Sequence, residues 1–269
     1  MSNILIPVAL CGGMGLILSV VLVIAAKLFE VPVNEIAEKA RGVLPGANCG
    51  ACGYAGCDDY AAALAEGRET KINLCIPGAN GVAQALSDVM GVEFEAATSR
   101  MAVVRCSGTR GKTSYVMDYQ GLQSCKANRM FYRGRGSCGS GCLGFGDCAK
   151  VCQFNAIVIE NGVAVVDRTK CTGCGMCAKI CPVNIIDIMP QTARVIVGCA
   201  STMPAAQTKD GCDIGCVGCG ICMDTCKFDA IKVENNCAVI DYDKCKNCGL
   251  CAKKCPRHII RVLPKMGTK

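Results

Sequence analysis

The sequence predicts an α+β protein that consists of an N-terminal transmembrane helix, a small four-cysteine domain and two copies of a cysteine-rich domain. Three observations support this architecture. A run of 23 residues near the N-terminus carries no charge. Four cysteines among glycines follow it. Beyond residue 133, a set of eight cysteines recurs after 74 positions, which is the signature of a duplicated domain.

The uncharged run, Ile4 to Ala26, predicts a membrane span within residues 1–28. At 1.5 Å per residue its 23 positions reach about 35 Å, enough for a hydrocarbon core of about 30 Å. A secretory signal is the alternative, but the run is too long and no basic residue precedes it. Lys27, Lys39 and Arg41 follow it, which favours a cytoplasmic location for the remaining domains. The sequence thus predicts a single-pass protein of the cell (inner) membrane.

Residues 29–95 contain the four-cysteine domain. Its thiols are spaced x2, x4 and x17, at Cys49, Cys52, Cys57 and Cys75. Glycines flank them, as a backbone wrapped closely around a cluster requires. Four thiols with no spare predict one self-contained [4Fe–4S] site, with zinc as the alternative. Asp58 to Glu66 predicts a short helix, and residues 96–132 form a linker region with a strand at Met101 to Val104.

The two copies of the repeat occupy residues 133–195 and 207–269. The spacing x2-x2-x3 occurs three times, within residues 171–181, 216–226 and 245–255. This is the bacterial ferredoxin run, in which the fourth cysteine serves the other cluster of a pair. Three thiols on one tight loop cannot reach round to the fourth corner of a cubane, so two loops exchange their last ligands. The copies are therefore predicted to be ferredoxin-like dicluster domains.

This exchange assigns sixteen cysteines to four further [4Fe–4S] clusters, which makes five in the chain. The first copy gives the sets Cys138, Cys142, Cys148, Cys181 and Cys152, Cys171, Cys174, Cys177. The second gives Cys216, Cys219, Cys222, Cys255 and Cys226, Cys245, Cys248, Cys251. Cys212 is the alternative to Cys219, because the repeat favours Cys212 and the tight loop favours Cys219. The first copy has Phe145 where the second has Cys219.

Short strands and helices are predicted within each copy. Asn161-Gly162 lies between two apolar runs, which indicates a β-hairpin. Residues 234–236 indicate another in the second copy. Ile185 to Ile188 and Ile259 to Val262 predict later strands, and the segments 174–180 and 248–254 predict short helices. The spare cysteines, Cys11, Cys106, Cys125, Cys199 and Cys237, are predicted to pack as small hydrophobic side chains.

Several other function classes are excluded. The thiols form loops too tight for good disulfides, and a third cysteine at the same spacing would be idle in a zinc knuckle. The formal charge of +7 falls to about −3 if five clusters carry about −2 each, so it is poor support for nucleic-acid binding. His258 is the only histidine, which rules out a Ser/His/Asp constellation and leaves single-electron transfer.

The span, the motif from Leu44 to Cys57 with the distant Cys75, and the ferredoxin modules together resemble the RnfB family, the iron–sulfur subunits of Rnf complexes. The resemblance covers essentially the whole chain. It implies a membrane complex that oxidises reduced ferredoxin, reduces NAD⁺ and translocates Na⁺ or H⁺. A member of this family would accept electrons from soluble ferredoxin and pass them to the other subunits. The alternative is a membrane-anchored polyferredoxin that serves another reductase without ion coupling.

Overall fold

The computed structural model describes residues 2–28, 34–94, 96 and 99–265, with the side chains of residues 2–11 and 28 left out. Helices and short strands alternate through these ranges. The described strands pair two by two in antiparallel sheets, in the order β1–β4, β2–β3, β5–β8 and β6–β7. Their ranges are given below with the units to which they belong. The observed architecture is mixed helix and strand, as the sequence predicts.

Helix α1 (Ser2–Leu28) contains the run that predicts a membrane span. Its large apolar side chains from Met14 to Ile24 are exposed, with Leu16 at 67%. In the part of the chain that the structure describes, no helix combines the length and the apolar character needed to cross a membrane. The predicted span is therefore not found there, and its side chains before Gly12 lie outside the described residues.

Three helices form the four-cysteine domain: α2 (Glu35–Val43), α3 (Cys57–Ala65) and α4 (Ala79–Met90). The side chain of Asn34 caps α2 by accepting a 3.0 Å hydrogen bond from the Ile36 backbone N–H. Helix α3 confirms the helix predicted at Asp58 to Glu66. The helices pack on one another through a core that includes Ala40, Leu44, Tyr60, Leu64 and Leu86.

Two similar units follow. The first comprises β1 (Arg100–Val104), α5 (Cys125–Arg129), α6 (Asp147–Lys150), β2 (Ile157–Glu160), β3 (Val163–Val166), α7 (Met176–Ile180) and β4 (Ile186–Pro190). The second comprises β5 (Val195–Val197), α8 (Ala205–Gly211), α9 (Ile221–Asp224), β6 (Ile231–Glu234), β7 (Cys237–Ile240), α10 (Leu250–Lys254) and β8 (Ile260–Val262). Strand β1 pairs with β4, and β5 pairs with β8. Each unit thus closes by joining its first strand to its last.

The hairpins β2–β3 and β6–β7 confirm the predicted turns. Asn161 and Gly162 have φ values of 47° and 82°, and Asn235 and Asn236 have 47° and 64°. A two-residue turn with both central residues at positive φ matches the twist of the flanking strands. The predicted strand at Met101 to Val104 is also confirmed within β1. Because β1 pairs with β4, this part of the predicted linker forms the edge of the first unit.

Candidate metal centres

Every cysteine whose side chain the structure describes, except Cys237, belongs to one of six groups of four, and none of these thiols is in a disulfide. We name the groups sites A to F. Site A is Cys49, Cys52, Cys57 and Cys75; site B is Cys152, Cys171, Cys174 and Cys177; site C is Cys125, Cys142, Cys148 and Cys181. Site D is Cys106, Cys138, Cys199 and Cys212; site E is Cys216, Cys219, Cys222 and Cys255; site F is Cys226, Cys245, Cys248 and Cys251.

Site A lies where the loop before α3 meets the loop before α4. The side-chain oxygen of Asn48 accepts a 2.8 Å hydrogen bond from the Cys57 backbone N–H, which ties the two halves of the glycine-rich loop together. Burial, and then the nearby thiols of the other three cysteines, raise the pKa of Cys75 to about 11. The structure therefore brings together all four cysteines that the spacing predicts.

Sites B and F occupy equivalent places in the two units. Each takes three thiols from one tight loop and a fourth from the preceding loop, Cys152 in site B and Cys226 in site F. The backbone N–H groups of Ala156 and Ala230 donate 3.4 Å hydrogen bonds to these two sulfurs. The grouping is the crossed arrangement that the x2-x2-x3 spacing predicts.

Sites C and E are the other equivalent pair, and their cavities have similar volumes of about 340 and 350 Å³. Cys181 reaches site C from the loop of site B, and Cys255 likewise reaches site E. Gly144, at φ 74°, lies on the loop of site C, and a Cβ there would stand 2.5 Å from the Gly162 carbonyl oxygen. This loop therefore packs directly on the β2–β3 hairpin.

Site C takes its fourth thiol from outside the repeat. Phe145 holds the position that Cys219 has in site E, and Cys125 at the start of α5 lines the cavity. The carboxylate of Asp147 accepts hydrogen bonds from the Ser124 hydroxyl at 2.8 Å and the Lys126 backbone N–H at 3.1 Å. These bonds hold the start of α5 against the cluster loop. Cys138, which the spacing groups with this site, does not line its cavity.

Cys138 instead belongs to site D, which lies between the two units. Its cavity of about 550 Å³ takes two thiols from each unit. Cys106 and Cys199 stand two residues after β1 and β5, respectively, and Cys138 and Cys212 are 74 positions apart. Site D is therefore built from equivalent positions of the two copies. Cys212 and Cys219 both have a place, in sites D and E, rather than competing for one.

The residues present fit iron–sulfur clusters. Burial raises the pKa of Cys106, Cys148 and Cys177 to about 12 in each case, so these thiols need a metal to stay deprotonated. Among the described residues, the buried hydroxyls of Ser107 and Thr172 lack a hydrogen-bond partner beside sites D and B. No three His, Cys, Asp or Glu side chains within the described ranges could share a single metal ion. Soft thiolates around a larger cavity suit a cluster.

The six sites form a row. The Lys179 ammonium lies 3.5 Å from the Gly50 carbonyl oxygen, and the Cys49 thiol lies near Cys174, so site A adjoins site B. Cys148 lies near Cys177, which joins site C to site B. Hydrogen bonds join site D to both C and E. Helices α9 and α10 pack together, which joins E to F. The order along the row is A, B, C, D, E, F.

Sequence reasoning left Cys106, Cys125 and Cys199 outside the sites. No local spacing marks them, because each lies far along the chain from its partners. One signal does exist in the repeat: the second copy carries one thiol too many and the first has Phe145 in place of a cysteine. That mismatch points to a ligand from elsewhere, but only the tertiary fold shows which one.

Comparison with known proteins agrees with this arrangement. Residues 44–77 match a domain family described as an Fe-S cluster. Residues 164–187, 238–261 and 216–230 match families described as 4Fe-4S binding domains. Iron–sulfur and ferredoxin-type domains are therefore present.

Three relatives, each the subunit that its complex designates with the letter B, align with nearly the whole chain. That of the Na(+)-translocating ferredoxin:NAD(+) oxidoreductase complex of Acetobacterium woodii is 42% identical over 97% of this chain and 78% of its own length. That of the proton-translocating ferredoxin:NAD(+) oxidoreductase complex of Clostridium ljungdahlii is 40% identical over 98% and 94%. That of the ion-translocating oxidoreductase complex of Methanosarcina acetivorans is 36% identical over 97% and 100%. The chain therefore belongs to the RnfB family of these ion-translocating oxidoreductase complexes, as the resemblance predicts.

Proposed function

We propose that the chain is the electron-transfer subunit of an ion-translocating ferredoxin:NAD⁺ oxidoreductase and that it conducts single electrons along sites A to F. The row of six four-thiol groups carries this proposal. A [4Fe–4S] cluster, when bound, supplies one-electron transfer at a potential set by its surroundings. The residues of this chain hold the sites, keep neighbouring sites close and shield them from water.

The cofactors of this chain are six [4Fe–4S] clusters, one more than the sequence predicts. Cys106, Cys138, Cys199 and Cys212 hold the additional one in site D, and Cys125 completes site C. The support is that each cavity is lined by four thiols from different loops. A cluster in site D also closes the gap between the two units, without which the row would be interrupted at its middle.

Site F is the end at which soluble ferredoxin delivers its electron. Cys248 is exposed there, and Phe228 (42% exposed), Leu250 (36%) and Lys246 line the same cavity. Small apolar contacts around an exposed redox site suit a transient electron-transfer encounter. A lysine at the rim attracts an acidic partner and speeds association. The names of two of the relatives include ferredoxin as a substrate.

Site A is the opposite end of the row and faces the other subunits. Its domain follows α1 directly in the chain, so the two stay close to each other. Electrons leave here for the subunits that reduce NAD⁺ and translocate Na⁺ or H⁺. The exposed apolar side chains between Met14 and Ile24 support insertion of α1 into the bilayer. Lys27, Lys39 and Arg41, which follow them, support a cytoplasmic location for the cluster domains.

Anaerobic purification with iron, sulfide and kinetic analysis tests the proposal. We expect about 24 iron atoms and as much acid-labile sulfide per chain, from six clusters of four irons. Reduced ferredoxin should reduce the chain rapidly, and the chain should co-purify with membrane subunits that contain flavin. A folded, iron-free chain would overturn the proposal. A reducible chain that always separates from such subunits would support the polyferredoxin alternative instead.

A further inference from the structure

Cys237 is the one cysteine with a described side chain outside the six sites, and its thiol lies among cluster ligands. It begins β7 and is 4% exposed. Its sulfur donates a hydrogen bond of 3.3 Å to the Cys199 carbonyl oxygen. The same thiol is within hydrogen-bonding reach of the Cys199 and Cys216 thiols. A buried S–H group therefore contacts ligands of both site D and site E.

These two ligands mark the junction between the sites. The Cys216 backbone N–H donates to the Cys199 sulfur at 3.4 Å, and the Ser201 backbone N–H donates to it at the same distance. Cys237 adds a side-chain donor to these two backbone donors. Donors directed at ligand sulfur stabilise the more negative, reduced state of a cluster and so raise its reduction potential.

The repeat provides an internal comparison. Val163 holds the equivalent position in the first unit, begins β3 and is 3% exposed. The backbone around the two positions is alike, because the Ala164 N–H bonds to the Cys142 thiol as the Ala238 N–H bonds to the Cys216 thiol. A valine fills the space equally well. The difference between the units at this point is one S–H donor.

We infer that Cys237 is a positioning residue whose S–H donates a hydrogen bond to ligand sulfur at the junction of sites D and E and raises the reduction potential there. The inference depends on the proposed function, because sites D and E must hold clusters. Cys237 is not itself a ligand and undergoes no redox change. Site C, with Val163 at the equivalent position, lacks this donor, so the duplicated units differ in potential although they share their ligand spacing.

Potentiometric titration of the full chain, followed by electron paramagnetic resonance, tests the inference. Cys237→Val should lower the midpoint potential of one or both clusters at the junction, by about tenfold at most in the one-electron equilibrium, or about 59 mV. Cys237→Ser keeps a donor and should shift less. The reciprocal Val163→Cys should raise the potential of a different cluster, in site C. All three variants should keep the iron content of the unaltered chain.

Three results would overturn the inference. Unchanged midpoints in Cys237→Val at full iron content would show that the thiol only fills space. A loss of about four irons in Cys237→Val would show that it is a ligand. If Cys237→Val fails to fold, an unchanged site C potential in a folded Val163→Cys would be decisive. An unaltered chain that contains no iron would instead overturn the proposed function, which separates the two failures.

Discussion

The backbone N–H of Cys216 lies 3.4 Å from the thiol sulfur of Cys199, and the Cys142 N–H lies at the same distance from the Cys106 sulfur. In each pair the donor belongs to a site within one unit, and the acceptor belongs to the shared site D. The duplicated units thus approach site D in the same way from opposite sides. Each contact is one hydrogen bond long, so it offers a short route between neighbouring sites.

Removing a ligand of site D should remove one cluster and leave the others. We expect Cys106→Ser to lower the iron content by about four atoms per chain, because three thiolates hold the cluster poorly. Electron passage from ferredoxin to the membrane subunits should fall by more than about tenfold, while reduction of site F stays rapid. Iron analysis and stopped-flow absorbance measure these effects. Cys237→Ser, which also removes a buried thiol, is the matched control and should keep its iron; equal iron in both would contradict site D.

Exchanging the ligand position tests the composition of site C. Cys125→Ser should lose about four irons, and adding Phe145→Cys should restore them, because residue 145 holds the place of Cys219. The restored variant should be less stable than the unaltered chain, since the Phe145 ring lies 4.4 Å from the Arg135 guanidinium and 5.6 Å from the Tyr119 ring. Iron content and thermal unfolding are measured together. Full iron in Cys125→Ser alone would show that Cys125 is not a ligand.

The crossed arrangement predicts which cluster depends on Cys181. Cys181→Ser should impair site C and spare site B, although Cys181 follows the site B loop in sequence. Cys177→Ser is the matched control, four residues earlier, and should impair site B instead. Electron paramagnetic resonance distinguishes the two losses by their midpoint potentials. Identical spectra from the two variants would contradict the crossing.

Asp147 holds the loop that carries Cys125, and its charge should matter. Although burial acts to raise its pKa, hydrogen bonds from Ser124 and the Lys126 N–H outweigh burial and lower it. Asp147→Asn should therefore weaken this attachment by about 1–2 kcal/mol at pH 7 and speed iron loss from site C to a chelator. Ser87→Ala, in the four-cysteine domain, is a control that should leave site C unchanged.

The pH dependence of this effect has a definite sign. A carboxyl whose pKa is lowered by folding stabilises the protein above its unfolded pKa of about 3.9. That stabilisation is lost as the pH falls through the lower, folded value. The difference in iron-loss rate between Asp147→Asn and the unaltered chain should be full from about pH 6 to 8 and shrink below about pH 4. A difference that stays constant across this range would contradict a role for the charge.

Charge at the rim of site F should govern encounter with ferredoxin. Lys246→Glu should slow reduction by ferredoxin about tenfold at low salt, and less at high salt, because screening weakens the attraction. Lys71→Glu makes the same charge change in the domain of site A and should leave this rate unaltered. Stopped-flow measurement at several salt concentrations separates the two. Equal slowing in both variants would place the encounter elsewhere.

Local patterns predicted much of this molecule. The hairpin at Asn161-Gly162, the helix after Cys57 and the crossed loops of sites B and F all follow from residues close together in sequence. Short-range geometry is enough there, because a two-residue turn or an x2-x2 loop has few ways to fold. Cys125 and Cys106 escaped, since their partners lie far along the chain and depend on how β1 and α5 pack.

Thiol spacing was enough to predict the class of cofactor, the duplication and the family, because such spacing is limited by the reach of a few backbone bonds. That the two units share a site, and that Cys237 contacts ligands of sites D and E, became visible only in the folded chain. Equivalent positions such as Cys138 and Cys212 meet only when both units are folded and packed on each other. Contacts of that kind have no characteristic spacing in the sequence, because the whole fold brings them together.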